Sequence, residues 1–433
     1  MGAQRPGGKR GREMEYLRIA GGRPLEGRAA LPGAKNSLLP ILAASVLCDG
    51  PVTLDNVPDL ADLHASLEIL RRIGWEAEYL DGRVDLCPAR QVRSRIPSRA
   101  AGAMRSSVFY LAPLLHRTGR VELPTPGGCR LGERPIDIHL EGLVKMGAAA
   151  SVENNRLVLQ APNGLQGTCF ELRYPSVGAT ESLLMAAVLA RGATCLTGVA
   201  REPEIQDLAR FLNRCGARIT GAGGSTIHVV GVRRLHGTRH TIIPDRIVAA
   251  TLLAAVTGAG GDIVMEGVQP SHLAGVLDIY RRMGLRTSQP TPGQLRAVMD
   301  RRPSALGKAA TGPYPAFCTD AAPLAAAALL RAEGESVIED RVFENRFDCA
   351  AGFARLGARA CRQGRSVHIW GVEQYRGGEA EGGDLRGGAA LVCAAVAAQG
   401  ESRIGGLEHI RRGYQDLAGL LGGLGADIRL CRD

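Results

Sequence analysis

The feature that most constrains the fold of this chain is an internal repeat. Six amphipathic stretches each end in an apolar residue followed by glycine, and an alternating, strand-like run usually comes next. The six glycines are Gly74, Gly147, Gly216, Gly284, Gly357 and Gly425. They lie 73, 69, 68, 73 and 68 residues apart, which is a period of roughly seventy. Apolar residues three and four positions apart predict a helix, and glycine predicts a left-handed residue at its C-terminal end.

A second pattern lies between these stretches: a short polar start followed by an Ala/Leu-rich segment. Its six copies begin near GAKNSLLPILAASVL, GAMRSSVFYLAPLL, SVGATESLLMAAVLA, PDRIVAATLLAAVTGA, TDAAPLAAAALLRA and DLRGGAALVCAAVAA. These segments are apolar on nearly every face, which predicts buried helices. Six helix–strand–helix–strand units then predict an α/β fold whose sheets wrap around helical centres. A single core rarely grows past about 250–300 residues, so we expect two lobes of three units.

Composition narrows the classes of function. Aromatic residues make up only 4% of the chain, which disfavours a nucleic-acid surface built on base stacking. The net charge of 53 − 43 = +10 suits a cleft for small phosphorylated substrates as well as it suits nucleic acid. No run reaches the roughly 18 apolar residues of a membrane span. Eleven scattered cysteines, without C-x-x-C or a Cys/His cluster, predict reduced thiols in a cytoplasm and no metal site.

The first thirteen residues form a basic leader. Arg5, Lys9, Arg10 and Arg12 against Glu13 give residues 1–13 a net charge of +3. The leader has no apolar run behind it, so it is not a secretory signal. We expect a disordered tail ahead of a second start at Met14, the alternative being a functional basic arm.

Nine short motifs between Met14 and the C-terminus together resemble the enolpyruvyl transferase family. In order they are GAKN (33–36), MRSS (104–107), PGGCRLGERPIDIH (126–139), PSVGAT (175–180), REPEI (201–205), PDRI (244–247), FENRF (343–347), DLR (384–386) and RGY (412–414). The resemblance implies a two-lobed inside-out α/β barrel of six repeats, three per lobe, with buried helices and outer sheets. We place residues 14–34 and 244–433 in the lobe with the general base. Residues 35–243 form the lobe with a cysteine loop, 125–135.

The motifs are those of the branch of the family whose acceptor is a sugar nucleotide. The resemblance implies transfer of the enolpyruvyl group of phosphoenolpyruvate to the 3′-hydroxyl of UDP-N-acetylglucosamine, with release of phosphate. This reaction is the first committed step of peptidoglycan synthesis. It proceeds by addition and then elimination. Breaking a carbon–oxygen bond calls for no metal and no cofactor.

The PGGCRLGERP stretch is the sharpest of these motifs. Cys129 lies in a glycine-rich loop beside Arg130 and Arg134, and nearby cations lower the pKa of a thiol and make it a competent acid or nucleophile. The residues alone leave two interpretations open: a reactive thiol, or a small apolar side chain in a turn. The resemblance implies that Cys129 protonates the methylene carbon of phosphoenolpyruvate, forms a covalent adduct with it and is alkylated by fosfomycin.

Phosphoenolpyruvate carries a phosphate and a carboxylate, and arginine's planar fork suits both groups. The motif positions that match the family's phosphoenolpyruvate ligands are Lys35, Asn36, Arg134, Arg386 and Arg412. Considered one at a time, each of these cations could equally be interpreted as a solvated or ion-paired surface residue. Their positions at the starts or ends of repeat motifs favour a shared anion pocket.

The acceptor hydroxyl must lose a proton as it attacks, which calls for a positioned carboxylate. Asp320 matches the family's residue for that task, although its place before AAPLAAAALL also suits a helix N-cap. Cys318 stands two residues away, where the family usually has proline, so a second reactive thiol there stays open.

The remaining candidate residues belong to the sugar-nucleotide side of the cleft. The matching positions are Arg105, Arg134, Pro135, Ile136, Asp137, Ile138, Ser176, Val177, Gly178, Asp320 and Val342. A helix start at PSVGAT would aim backbone amides at a diphosphate. The PSVGAT sequence is equally compatible with an ordinary turn before a buried helix.

The chain departs from the family's pattern at three further positions. Ala61 and Tyr174 stand where some members have lysine, and Arg411 stands where an acid is common, which adds positive charge near the cleft. Three alternatives to the leading function remain: the sister reaction on shikimate 3-phosphate, a non-catalytic paralogue that binds the UDP-sugar, and a nucleic-acid binder.

Overall fold

The computed structural model describes residues 15–88, 90–124 and 136–433. Its α-helices are α1 (Lys35–Ala44), α2 (Ala61–Ile73), α3 (Ser98–Ala103), α4 (Leu111–Thr118), α5 (Asp137–Lys145), α6 (Val177–Ala187), α7 (Pro203–Arg214), α8 (Arg246–Ala259), α9 (Ala274–Arg282), α10 (Ala322–Leu329), α11 (Ala350–Arg355), α12 (Leu385–Ala397), α13 (Leu407–Ile410) and α14 (Leu417–Gly422). Short 3₁₀ helices span Ser45–Leu47, Arg105–Tyr110, Pro270–Leu273 and Thr319–Ala321.

The strands alternate with these helices along the chain. They are β1 (Glu15–Gly21), β2 (Leu25–Ala30), β3 (Val52–Asp55), β4 (Glu76–Leu80), β5 (Arg83–Cys87), β6 (Arg120–Pro124), β7 (Ala149–Glu153), β8 (Arg156–Gln160), β9 (Cys169–Glu171), β10 (Ala193–Thr197), β11 (Arg218–Thr220), β12 (Thr226–Val230), β13 (Arg239–Thr241), β14 (Gly261–Glu266), β15 (Arg286–Ser288), β16 (Gln294–Met299), β17 (Gly307–Ala310), β18 (Glu335–Glu339), β19 (Arg359–Gln363), β20 (Ser366–Trp370), β21 (Glu379–Glu381), β22 (Gly400–Gly405) and β23 (Asp427–Arg432).

The predicted glycine caps are confirmed. Each repeat glycine follows an amphipathic helix (α2, α5, α7, α9, α11 or α14), and its φ lies between +80° and +114°. This is the left-handed region, which a residue with a Cβ enters only at a cost. The period of roughly seventy therefore marks one structural unit.

The described strands form six small sheets, one per unit. Their orders are β21-β22-β1-β23, β11-β12-β10-β9, β13-β3-β5-β4, β15-β16-β14-β2, β17-β18-β20-β19 and β6-β8-β7. Each four-stranded sheet joins antiparallel neighbours to one parallel pair, such as β2 with β14. In the three-stranded sheet, a single parallel bridge from Arg95 to Glu122 takes the place of that pair.

The helices of the second pattern occupy the centres of two hydrophobic cores. One core combines residues 17–31 with 247–424, and the other lies within 34–242. In the first, α8, α10 and α12 pack on one another, and every residue of α8 is buried. In the second, α6 packs against α1 and α4. The predicted two-lobed α/β fold with buried helices and outer sheets is confirmed. Within the described part of the chain, no helix is both long enough and apolar enough to cross a membrane.

The chain crosses between the two cores twice, and the crossings lie side by side. Gly33 and Pro244 form an isolated antiparallel bridge at this point. A Cβ built on Gly33 would lie 1.8 Å from the carbonyl oxygen of Asn56, so the close approach admits only glycine. The central helices α1 and α8 both begin just beyond the crossings, and this brings their N-terminal residues to the junction of the lobes.

Candidate functional site

Asp245 ties the two crossings together at the lobe junction. It is the N-cap of α8, and its Oδ1 accepts from the amides of Ile247 at 2.7 Å and Val248 at 3.1 Å. Its Oδ2 accepts from the amide of Lys35 at 3.1 Å, so one buried carboxylate holds the start of α1 beside the start of α8. Burial raises the pKa of Asp245, against the opposing effect of Arg386 and these amides.

Lys35 and Arg412, two of the predicted phosphoenolpyruvate ligands, meet on a carboxylate that the sequence analysis did not single out. Lys35 Nζ lies 2.7 Å from Oδ2 of Asp62, in the first turn of α2, and Arg412 Nε lies 2.9 Å from its Oδ1. The Asp62 side chain is only 5% exposed, whereas that of Arg412 is 38% exposed. Asp62 lies in α2, which packs in the core of residues 34–242, whereas Arg412 lies beside Ile410 and Tyr414 of the other core. The contact, between residues 350 positions apart, therefore joins the two lobes.

The charges in this cluster shift one another's proton affinity. Burial lowers the pKa of Lys35, although the attraction of Asp62 opposes that shift. Burial alone would raise the pKa of Asp62, but Lys35 and Arg412 outweigh it and hold that pKa below its ordinary value. Among the described residues, Lys35 and Arg412 thus share the carboxylate of Asp62.

Asp320 lies in a second charged cluster. Arg386 donates to its Oδ2 from Nε at 3.1 Å and Nη2 at 3.0 Å, and Arg346 donates to its Oδ1 at 3.1 Å. Both guanidinium groups are almost fully buried, while the Asp320 side chain remains 27% exposed. The N-cap residue of α10 is Ala321, so the capping position predicted for Asp320 falls one residue later.

Packing fixes the two arginines that hold Asp320. The Arg346 guanidinium stacks 4.6 Å from the ring centroid of Phe343, and its Nε donates to Thr319 Oγ1 at 2.9 Å. Arg386, in the first turn of α12, donates from Nη1 to the hydroxyl of Tyr414 at 3.3 Å. These contacts hold the carboxylate of Asp320 in one orientation while its side chain remains partly exposed.

The segment after β18 is joined to the same cluster. The buried carboxylate of Asp340 accepts from Thr319 Oγ1 at 2.5 Å and from the amide of Val342 at 2.8 Å. Val342, a predicted sugar-nucleotide contact, is thereby held beside the turn that carries Asp320. Burial raises the pKa of Tyr174, and Glu202 and then Asp340 add to that shift.

The predicted sugar-nucleotide residues of the other lobe gather at the starts of α5 and α6. Asp137 begins α5, and Ser176 caps α6 by accepting from the amide of Ala179 at 3.3 Å. Buried His139 joins the helices through a 2.8 Å contact between its Nδ1 and Ser182 Oγ. Burial, reinforced by Arg105, lowers the pKa of His139 to about 4, so this histidine is neutral at physiological pH.

Gly178 allows this close approach, because a Cβ there would come within 3.3 Å of the His139 ring. Ile136 and Ile138 flank Asp137, and both pack against the core of residues 34–242. Asp137 is itself paired with Arg173, an exposed residue that also binds Glu141. The structure thus packs α6 against both α5 and the 3₁₀ helix that begins at Arg105.

Three predicted site residues, Cys129, Arg134 and Pro135, lie outside the described residues, as does the leader. Asn36 is the second residue of α1 and is half-buried.

The structure shows the surroundings of two residues, Arg411 and Cys318, that depart from the family's sequence pattern. Arg411 was expected to add positive charge near the cleft; its Nη1 lies 2.5 Å from Glu15 of β1, a carboxylate that it shares with Arg432. Burial raises the pKa of the Cys318 thiol, with Asp320 adding to the shift and Arg246 opposing it. A thiol with a raised pKa is a poor nucleophile, which argues against a second reactive cysteine.

Sequence reasoning missed four residues of these clusters: Asp62, Asp340, Arg346 and Tyr414. Arg346 and Tyr414 lie inside the FENRF and RGY motifs, so their presence in a motif was a usable signal. Asp62 and Asp340 lie in none of the nine motifs, and only the fold reveals them. Among the described residues, no group of three His, Cys, Asp or Glu side chains is arranged to hold a metal ion.

Comparison with known proteins agrees with this architecture. A family model described as EPSP synthase (3-phosphoshikimate 1-carboxyvinyltransferase) matches residues 19–421. The enolpyruvyl transferase NikO from Streptomyces tendae superposes with a TM-score of 0.86 at 25% identity, covering 97% of this chain and 100% of that one. EPSP synthase from Acinetobacter baumannii superposes with a TM-score of 0.74 at 20% identity, over 96% of this chain and 100% of that one, and so supports the fold alone. The chain belongs to the enolpyruvyl transferase family.

Within the family, the chain is similar to a more narrowly named group. It is 41% identical to UDP-N-acetylglucosamine 1-carboxyvinyltransferase 1 of Halalkalibacterium halodurans over 96% of this chain and 94% of the relative. It is 40% identical to the protein of the same name from Staphylococcus aureus, over 97% of this chain and 100% of the relative.

Proposed function

We propose that the chain transfers the enolpyruvyl group of phosphoenolpyruvate to the 3′-hydroxyl of UDP-N-acetylglucosamine and releases phosphate. The observation that carries the proposal is the 40–41% identity to relatives of that name over nearly the whole of both chains. The two charged clusters at the lobe junction supply groups suited to that chemistry. In a bacterial cell this reaction commits its substrates to peptidoglycan.

The donor's phosphate and carboxylate bind to the cations around Asp62. Lys35 and Arg412 both pair with the carboxylate of Asp62. A donor with a phosphate and a carboxylate offers more negative charge than one aspartate. Arg412 is partly exposed and can turn to the donor, while buried Lys35 remains beside Asp62. The pairing preorganises both cations before substrate arrives. Asn36 and, from the resemblance, Arg134 complete this anion site.

Asp320 removes the proton from the attacking hydroxyl. The Asp320 side chain is 27% exposed, so an acceptor hydroxyl bound from solvent can reach the carboxylate. The two arginines keep the carboxylate in one orientation, which a positioned base requires. Arg386 also joins this base to the donor's anion site, since it contributes to the lowered pKa of Lys35.

Cys129 donates a proton to the methylene carbon of the donor. Support for this role comes from the family resemblance and from the cationic, glycine-rich sequence around the thiol. The 3′-oxygen adds at the adjacent carbon to form a tetrahedral intermediate. Loss of a proton and of phosphate then restores the double bond, so atoms and charge balance without a cofactor.

The sugar nucleotide binds where α5 and α6 begin. The amides at the start of the eleven-residue helix α6 provide donors for a diphosphate, with Arg105 supplying a cation nearby. The resemblance assigns Pro135, Ile136, Asp137 and Ile138 to the uracil and Val342, of the opposite lobe, to a contact with the sugar nucleotide.

The second candidate is the sister reaction, favoured by the printed description of the family model, 3-phosphoshikimate 1-carboxyvinyltransferase. A phosphate-release assay with phosphoenolpyruvate and either acceptor separates the two. We expect release with UDP-N-acetylglucosamine and not with shikimate 3-phosphate. The reverse result would overturn the proposal, and no release with either would indicate a non-catalytic paralogue.

We also place the protein in the cytoplasm. All ten cysteines among the described residues are free thiols, which suits a reducing compartment. Fractionation of cells that express the chain at native levels, followed by immunodetection, would test this.

A further inference from the structure

A pocket rich in arginine lies away from the candidate active site. Its volume is about 360 Å³, and it is lined by Arg72, Arg93, Arg95 and Arg156 together with Ile96, Pro97 and Ser98. Arg72 is in the last turn of α2, whereas Asp62 is in the first turn. Ten residues of α-helix span about 15 Å, so the pocket is at the opposite end of α2 from the cluster around Asp62.

The fold brings these four arginines together from three elements. The amide of Arg93 donates to the carbonyl of Ile73 at 3.0 Å, which ties the segment after β5 to the end of α2. The amide of Ile96 donates to the carbonyl of Glu122 at 2.9 Å, so the same segment runs along the edge of β6. Arg156, the first residue of β8, contacts this segment through its Nη2, which donates to the carbonyl of Ile96 at 2.6 Å.

Carboxylates do not balance the charge of the pocket. Among the described residues, Glu122 Oε2 lies 3.8 Å from Nε of Arg95 and 3.5 Å from Nε of Arg156. The same carboxylate also pairs with Arg120. Arg72 Nε lies 3.9 Å from Oε1 of Glu68, four residues earlier on α2. Arg93 pairs with no carboxylate in the described part of the chain. Four guanidinium groups against two carboxylates leave two positive charges at this pocket.

Arg156 provides an independent sign that a ligand belongs here. It is only 8% exposed, and its Nε is buried without a hydrogen-bond partner among the described residues. Its contact with Glu122 at 3.5 Å is an ion pair without hydrogen-bond geometry. Burial, reinforced by Arg95, lowers the pKa of Arg156, against the opposing effect of Glu122. The Nη atoms of Arg156 donate to Ser98 Oγ and to the carbonyls of Ile96 and Glu122, so Nε is the donor left without a hydrogen bond. A buried donor without a hydrogen bond is costly, and an anion in the pocket would relieve that cost.

We propose that this pocket is a second anion site, which binds a small metabolite through a phosphate or diphosphate group. Arginine forks match phosphate oxygens in pairs of hydrogen bonds, and two uncompensated charges suit a dianion better than a single carboxylate. A volume of about 360 Å³ admits a diphosphate with part of the group attached to it. None of the described lining residues is aromatic, so the pocket offers no stacking surface for the bases of a nucleic acid.

Isothermal titration calorimetry on the full chain tests the site, with inorganic phosphate, inorganic diphosphate and UDP as separate probes. The test variant is Arg93→Glu/Arg95→Glu. The matched control is Arg286→Glu, at an exposed arginine of another sheet. Because the candidate active site also binds anions, each titration is repeated in the Arg412→Ala background.

In that background, we expect diphosphate binding to persist and to weaken at least tenfold in Arg93→Glu/Arg95→Glu. The Arg286→Glu control should bind as the parent does, and the test variant should retain the parent's kcat and KM when Arg412 is intact. A larger loss of UDP affinity than of diphosphate affinity in Arg93→Glu/Arg95→Glu would identify the ligand as a nucleotide, within the proposal, because UDP binding at α5 and α6 is the same in the variant and its parent. Equal diphosphate affinity in the test variant and its parent would overturn it. So would a single-stranded oligonucleotide that competes for the pocket more strongly than diphosphate.

Discussion

Replacing Asp62 by asparagine removes the carboxylate that, among the described residues, pairs with the buried Lys35. Asparagine keeps the size and shape of the side chain, so the change is almost purely electrostatic. Lys35 Nζ lies 2.7 Å from the carboxylate, and both side chains are at least nine-tenths buried. Breaking such a buried pair costs about 3–5 kcal/mol, because the remaining charge is left without compensation. Arg412 is partly exposed and can turn to water, so we expect about 3 kcal/mol.

The pH dependence of this loss tests its cause. The pKa of Lys35 is lowered in the folded chain, so the unfolded chain holds that proton more tightly and stability rises as pH approaches the unfolded pKa. Asp62 opposes the shift, so its removal lowers the folded pKa further. Lys35 can then lose its proton and its unpaired charge. The deficit of Asp62→Asn should therefore be smaller at about pH 9 than at about pH 7.

The assay is urea denaturation of the wild type and two variants at both pH values. Asp59→Asn is the matched control, because Asp59 precedes the same helix but forms an exposed pair with His64. Exposed pairs contribute about 0–1 kcal/mol, so this control should stay within that range. A loss below about 1 kcal/mol for Asp62→Asn, or a deficit that grows with pH, would refute the reasoning.

Four further outcomes are expected. Asp320→Asn should retain UDP-N-acetylglucosamine binding and slow turnover by about 10²–10⁴-fold, as measured by phosphate release; near-normal turnover would mean that another group takes the proton. Deleting residues 1–13 should leave kcat and Tm unchanged, since six of them are glycine, proline or alanine and offer little to pack; a clear loss would give the basic arm a partner. Fosfomycin should label Cys129, and faster with sugar nucleotide bound, whereas burial keeps Cys318 unreactive; peptide mapping that finds the adduct on Cys318 would reject this assignment. Gly33→Ala should lower stability by about 1–3 kcal/mol or more in urea denaturation, because its Cβ would clash with a backbone carbonyl 1.8 Å away; an unchanged midpoint would show that the crossing can relax.

Much of the fold was predictable because it depends on short-range patterns. The helix that ends at Gly74 needs only its own apolar spacing and a glycine that tolerates positive φ, and the same holds for the other five repeats. The second set of helices could be assigned to the interior for an equally local reason. Every residue of α8 is buried, and its sequence is apolar on all sides.

The residues of the candidate site could be predicted only where they belong to one of the family's sequence motifs. Lys35, Asp320, Arg386 and Arg412 were identified from the resemblance, and the structure brings them to the lobe junction. The partner carboxylate Asp62 was not, because its role depends on a contact with a residue 350 positions away.

Short-range chemistry in the sequence thus determined the repeat, the buried helices and the types of residue in the motifs. The tertiary structure alone decided which charges meet. Arg346 approaches Asp320 only because α10 and the turn after β18 pack side by side, and Arg156 meets Arg95 only across the edge of β6. A helix or a cap is stabilised by neighbours within four residues. An ion pair between lobes depends on how whole units pack, and no local pattern records that.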